Sequence, residues 1–139
     1  MNIYFHLRLA GALLVVLGFA HSFLGRYFKW KKELAQLSLL TRQIFLVHCF
    51  FIALLVVLIG ACSLFYTNAL LESGTLSRVV LTGFVVFWLI RLVFQFLVYD
   101  SAIWRGRRFY TAAHAAFSIF WIYVVLIYSA ALRVAWMDS

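Results

Sequence analysis

Proline is absent from this chain, and only four acidic residues stand against twelve lysines and arginines. Without proline no long helix has a built-in kink, which argues against the broken helices that many transporters need. Carboxylates are missing from every long apolar run, so a bare divalent cation would find few of its usual ligands there. The patterns H-E-x-x-H, E-x-x-H, C-x-x-C and C-x-x-C-H do not occur, leaving zincin, di-iron, thiol-metal and covalent haem chemistry without ligands. There are only two cysteines, Cys49 and Cys62, both in one apolar run. On a helix they would lie about 20 Å apart, too far for a disulfide, and they read as small hydrophobes.

What is present is overwhelmingly apolar. Of 139 residues, 67% are hydrophobic and 12% charged, where a soluble domain has about 45–50% and about 25%. A water-soluble sphere of this size has no room to hide that surface, so lipid must cover it. Four continuous runs, at about 3–25, 44–66, 79–98 and 112–132, each approach the roughly 20 residues that cross a hydrocarbon core. Their continuity, without period-two alternation, excludes a transmembrane barrel. The fold expected is all-α, a four-span transmembrane helical bundle of up-down topology, forming one integral membrane domain over 1–139. Met1–Arg8 followed by Gly18-Phe19-Ala20 has the outline of a signal peptide, but the first run is read as a genuine span.

Charge sets the expected orientation. The first connection and its flank carry Arg26, Lys29, Lys31, Lys32 and Arg42, and the third carries Arg105, Arg107 and Arg108. Only Arg8, Arg78 and Arg133 lie on the other side. The positive-inside rule then makes the first and third connections cytoplasmic and puts both termini outside, in the inner membrane of a bacterium. Because the basic residues are explained by topology, the net charge of +8 does not imply nucleic acid. In the first connection Tyr27, Phe28 and Trp30 alternate with Arg26, Lys29, Lys31 and Lys32 before an apolar stretch from Leu34. That mixture suits either a short interfacial helix against anionic headgroups or an ordinary aromatic and basic belt. Asn68–Ser77 reads as a simple turn.

Polar groups inside spans are costly and are the first place to look for function. His21, His48 and His114 each fall near the cytoplasmic end of a span, and Arg91 with Gln95 lies one to two turns from the end of the third. Up-down topology would bring these five to similar depth. Helical phase groups Gly11, Gly18 and Gly25 with Leu14 and His21 in the first span. In the second it groups Phe45, His48, Ile52, Leu55, Ile59, Cys62 and Tyr66. The third span groups Phe84, Phe87, Trp88, Arg91, Gln95 and Val98, and the fourth groups His114, Ser118, Trp121, Val125, Tyr128 and Leu132. These faces are expected to point inward, with the glycine stripe permitting close helix approach. Arg91 has two structural roles open to it, snorkelling to the surface or pairing with Asp100, beside an anion-binding one. His6, beside Arg8, reads as a belt residue.

Imidazoles from facing helices with an arginine nearby suit a cofactor that joins a metal to negative groups. In b-type haem, two of His48, His114 and His21 would ligate iron while Arg91 and Gln95 met the propionates. A (bacterio)chlorophyll or quinone head would use similar groups. Purified protein without a Soret band would remove haem. The alternative is a structural or lipid-binding subunit of a larger membrane complex, or a self-associating protein, with Arg91 and Arg42 on lipid phosphate. A small lipid-modifying enzyme with a histidine base comes third, since no nucleophile or acidic partner is evident. A channel or transporter comes last, because the span centres carry almost no polar lining.

Overall fold

The computed structural model describes residues 2–27, 30–98 and 107–137. Its elements are α1 (Ile3–Tyr27), α2 (Trp30–Leu34), α3 (Leu39–Phe65), α4 (Thr67–Leu71), α5 (Thr75–Leu97) and α6 (Arg108–Met137). Among the described residues there is no strand. The four long helices, α1, α3, α5 and α6, are each long and apolar enough to cross a membrane. Uninterrupted runs without proline let the backbone satisfy itself within each helix, as a bilayer demands. Hydroxyls in these helices follow the same logic. Ser63 donates to Ile59 O at 2.9 Å and Thr82 to Arg78 O at 2.7 Å, so each is paired within its own helix, while Thr67 at the start of α4 donates to Ser63 O of α3.

The helices outrun the apolar windows. α3 begins at Leu39 because Ser38 caps it, its Oγ accepting from Thr41 N at 3.2 Å. α6 begins at Arg108, before its apolar run opens. His48 and His114 therefore lie about two turns or more inside their helices, deeper along them than the windows place them. The first connection forms a helix only over the five residues of α2, with Trp30 edge-on to Phe45, ring centroids 5.1 Å apart. The expected simple turn near Asn68–Ser77 is instead the short helix α4 followed by Gly74. Leu70 and Leu71 are buried, and Ser77 donates to Ala69 O at 2.7 Å. That apolar pair and the Ser77 bond hold a helical turn where composition alone suggests a loop.

The chain divides into two compact units. One comprises Arg8–Thr67, within which α1 and α3 meet through glycines. A Cβ on Gly11 would lie 2.7 Å from Gly60 O, and one on Gly60 would lie 2.7 Å from Gly11 O. A Cβ on Gly18 would strike Val57 and come within 3.0 Å of Ala53 O. Gly11 and Gly18 thus do what their spacing predicts, bringing two backbones into contact. Nothing is described of the side-chain side of Gly25. The buried face of α3 is Val56, Ile59, Gly60 and Ser63. This corrects the expected inward face: of that set only Ile59 is buried, while Phe45, His48, Ile52, Leu55 and Tyr66 are exposed. Burial on α3 is centred on Gly60, where α1 comes into backbone contact, and not on His48. Cys49 and Cys62 are free and half-buried.

The other unit comprises Met1–Leu7 with Asn68–Ser139. In it α5 and α6 form an antiparallel hairpin. Phe84 meets Tyr128 edge-on at 5.5 Å and Trp88 stacks on Trp121 at 5.2 Å. At one end Arg78 Nε donates to Ala135 O at 3.1 Å, and its guanidinium lies 4.6 Å from the Trp136 ring centroid. Ala135 belongs to the last turn of α6, whose carbonyls have no partner within the helix, so Arg78 caps its neighbour. The start of α1 joins this unit through His6, whose Nδ1 lies 3.1 Å from the Tyr123 hydroxyl. That hydroxyl also donates to His6 O at 3.4 Å. His6 is accordingly half-buried and bonded.

Candidate anion site on the α5–α6 hairpin

Polar side chains gather where α5 approaches its C-terminal end. Arg91 and Gln95 are one helical turn apart, so they share a face, and Arg91 Nη1 donates to Gln95 Oε1 at 3.1 Å. The guanidinium also lies 4.7 Å from the ring centroid of Trp121 on α6. These two contacts fix the direction of the guanidinium between α5 and α6. A cation over an indole contributes about 0.5–2 kcal/mol, more as water is excluded. Arginine within a span costs roughly 2.5–3.5 kcal/mol even on permissive scales, which these contacts offset only in part.

His114 completes the group from α6, its Nε2 donating to the Gln95 carbonyl at 3.3 Å. Gln95 is 4% exposed. With Oε1 occupied by Arg91, its amide N–H end remains the donor side of the residue. Ser118, buried beneath, returns its hydroxyl to His114 O at 2.8 Å. Arg91, Gln95 and His114, expected to share a depth, are therefore brought together by one hairpin. Asp100, the proposed ion-pair partner of Arg91, lies outside the described residues.

His21 and His48 belong to the other unit. Each donates through Nδ1 to the carbonyl one turn back, His21 to Leu17 O and His48 to Ile44 O, both at 2.9 Å. In the neutral ring this puts the proton on Nδ1 and the lone pair on Nε2, the arrangement of a ligating imidazole. Among the described residues, no three His, Cys, Asp or Glu side chains gather to hold a metal ion.

Two residues beside the arginine were legible only as face members. Trp88, one turn before Arg91, stacks on Trp121 with an interplanar angle of 19°. Both are buried, at 1% and 4% exposure. Neither indole Nε1 finds a hydrogen-bond partner. An unmet buried donor costs about 1–3 kcal/mol, and two of them occur in one stacked pair. Their sequence signal was helical phase, Trp88 with Arg91 and Trp121 with Ser118. That they meet each other is a product of the hairpin register.

Comparison with protein-family models, with curated proteins and with solved structures finds no match for this chain.

Proposed function

We propose that this is a small integral membrane protein that binds an anionic lipid headgroup, with Arg91 as the cation that receives it. Gln95 and His114 position that cation, and the role is that of a lipid-binding or structural subunit rather than a catalyst. The lysine and arginine bias of the connections supports a site in the cytoplasmic leaflet of a bacterial inner membrane, with both termini outside. What supports this is the Arg91 guanidinium on an apolar hairpin, bonded to Gln95 and lying over Trp121, at the end of α5 that leads to a basic connection. A fixed cation in low dielectric attracts an anion far more strongly than one in water. Phosphate on a lipid is the anion most abundant at that depth.

Haem b is the second reading, favoured by the Nε2 lone pairs of His21 and His48. Two features weigh the choice toward lipid. His114 spends Nε2 on the Gln95 carbonyl. His21 follows Gly18 by less than a turn, where α1 lies against the backbone of α3, a separation narrow for a porphyrin.

The test is reconstitution in nanodiscs of phosphatidylcholine doped with phosphatidylglycerol, followed by native mass spectrometry of retained lipid. Wild type should retain phosphatidylglycerol preferentially, and Arg91→Gln should lose that preference by about tenfold, the effect of one charge-assisted contact. Equal retention by both proteins would overturn the assignment. A Soret band in the purified protein would replace it with haem.

A further inference from the structure

We propose that the first connection is a docking surface for an anionic bilayer leaflet, built by α2 and the first turn of α3 and separate from Arg91. Between Arg26 and Arg42 the chain carries five lysines and arginines against one acidic residue, Glu33. Trp30 and Leu34 stand one turn apart on α2 and so share a face. Leu34 is buried, and Trp30 meets Phe45 edge-on at 5.1 Å. Lys32, two positions from each, falls on the opposite side of that turn and is exposed. The contact with Phe45 fixes α2 beside the point where the apolar run of α3 opens, near Ile44. Lys32 is thereby held at the edge of the span.

Charge alone would suit an acidic soluble protein equally well, and the exposed apolar residues decide for lipid. Leu37, Leu39 and Leu40 are exposed in the same stretch as Lys32, Ser38, Thr41 and Gln43, before the long apolar run begins. Leucine, tryptophan and lysine mixed at the end of a span make the composition that settles at the boundary of headgroups and acyl chains. An anionic leaflet answers the whole set at once, its acyl edge taking the leucines and its phosphates the lysines. Each basic residue beside such a surface favours contact by about fivefold. Ser38, by capping α3, holds Leu39 and Leu40 in a helical turn there. The result is a first connection that responds to the charge of its own leaflet.

The experiment is hydrogen exchange on the full chain in nanodiscs of phosphatidylcholine, alone or mixed with phosphatidylglycerol. Exchange at residues 31–37 should slow about tenfold in the anionic discs. That slowing should vanish at about 1 M salt, where charges are screened beyond about 3 Å. Residues 68–74, a connection with Glu72 and no lysine or arginine, should exchange alike in both discs. The combined Lys29→Gln, Lys31→Gln and Lys32→Gln variant should lose the slowing, and Arg91→Gln, on the other unit, should keep it. Equal exchange at residues 31–37 in the two discs would overturn the proposal. So would slowing that survives salt or extends equally to residues 68–74, and loss of the slowing in Arg91→Gln would assign it to the headgroup site instead. Slowing by polyglutamate in phosphatidylcholine discs, with none by phosphatidylglycerol, would replace the leaflet with an acidic protein.

Discussion

Replacing Gly60 by alanine tests whether backbone contact between α1 and α3 holds their unit together. The new Cβ would lie 2.7 Å from Gly11 O, 2.9 Å from Val15 N and 3.0 Å from Leu14 Cβ. Two of those three atoms are backbone, so no side chain can swing aside. Restoring ordinary contact requires the helices to part by roughly 0.7 Å, and a gap of that order forfeits a quarter to a half of each dispersion contact nearby. At about 0.1–0.2 kcal/mol per atom pair, an interface of a few tens of pairs loses on the order of 1–3 kcal/mol. Overpacking of tight interiors has a similar cost, about 1–3 kcal/mol. Alanine also favours helix by about 1 kcal/mol over glycine, which masks part of the loss. Gly83→Ala supplies the control, because a Cβ there meets nothing within 4 Å and collects the propensity gain alone. The difference between the two variants isolates the steric effect and should be about 1–3 kcal/mol. Reversible unfolding in mixed micelles, followed by tryptophan fluorescence, measures it. A Gly60→Ala midpoint equal to or above that of Gly83→Ala would refute the reasoning.

Three further perturbations follow from contacts described above. Arg78→Ala removes the bond to Ala135 O and the cation over Trp136, and should destabilise by about 1–2 kcal/mol, with faster hydrogen exchange in the last turn of α6. Tyr123→Phe deletes the hydroxyl that meets His6 twice and should cost about 1 kcal/mol, seen as faster exchange at Ile3–Leu7 and unchanged exchange in α3. Ser38→Ala uncaps α3 and should cost about 1 kcal/mol, fraying Leu39–Arg42, while Ser38→Asp should restore the protection.

The long helices and the hairpin faces were legible because they depend on local periodicity. Arg91 and Gln95 share a face by spacing alone, as do Trp121 and Ser118, and each face packs largely as its phase predicts. The α3 face was misread for a physical reason. Phase analysis followed His48, the most polar member, whereas packing followed Gly60, a single glycine whose value depends on meeting Gly11 from another helix. The α1 stripe was visible because three glycines repeat at one spacing. The short helix α4 was hidden because its hold comes from the burial of Leu70 and Leu71 and from Ser77, which lies beyond its own segment. Within the candidate site the charged and amide groups were found from sequence. The stacking of Trp88 on Trp121 was not, since it depends on how α5 and α6 slide along one another.

The bond between His6 and Tyr123 spans 117 positions and has a consequence for biogenesis. At a synthesis rate of about 5–20 residues per second, Tyr123 leaves the ribosome roughly 6–23 seconds after His6. Throughout that interval the opening residues of α1 wait in the membrane without their final partner, while the rest of α1 already has the glycine of α3 to lie against. The start of α1 is therefore completed only when α6 arrives to supply Tyr123.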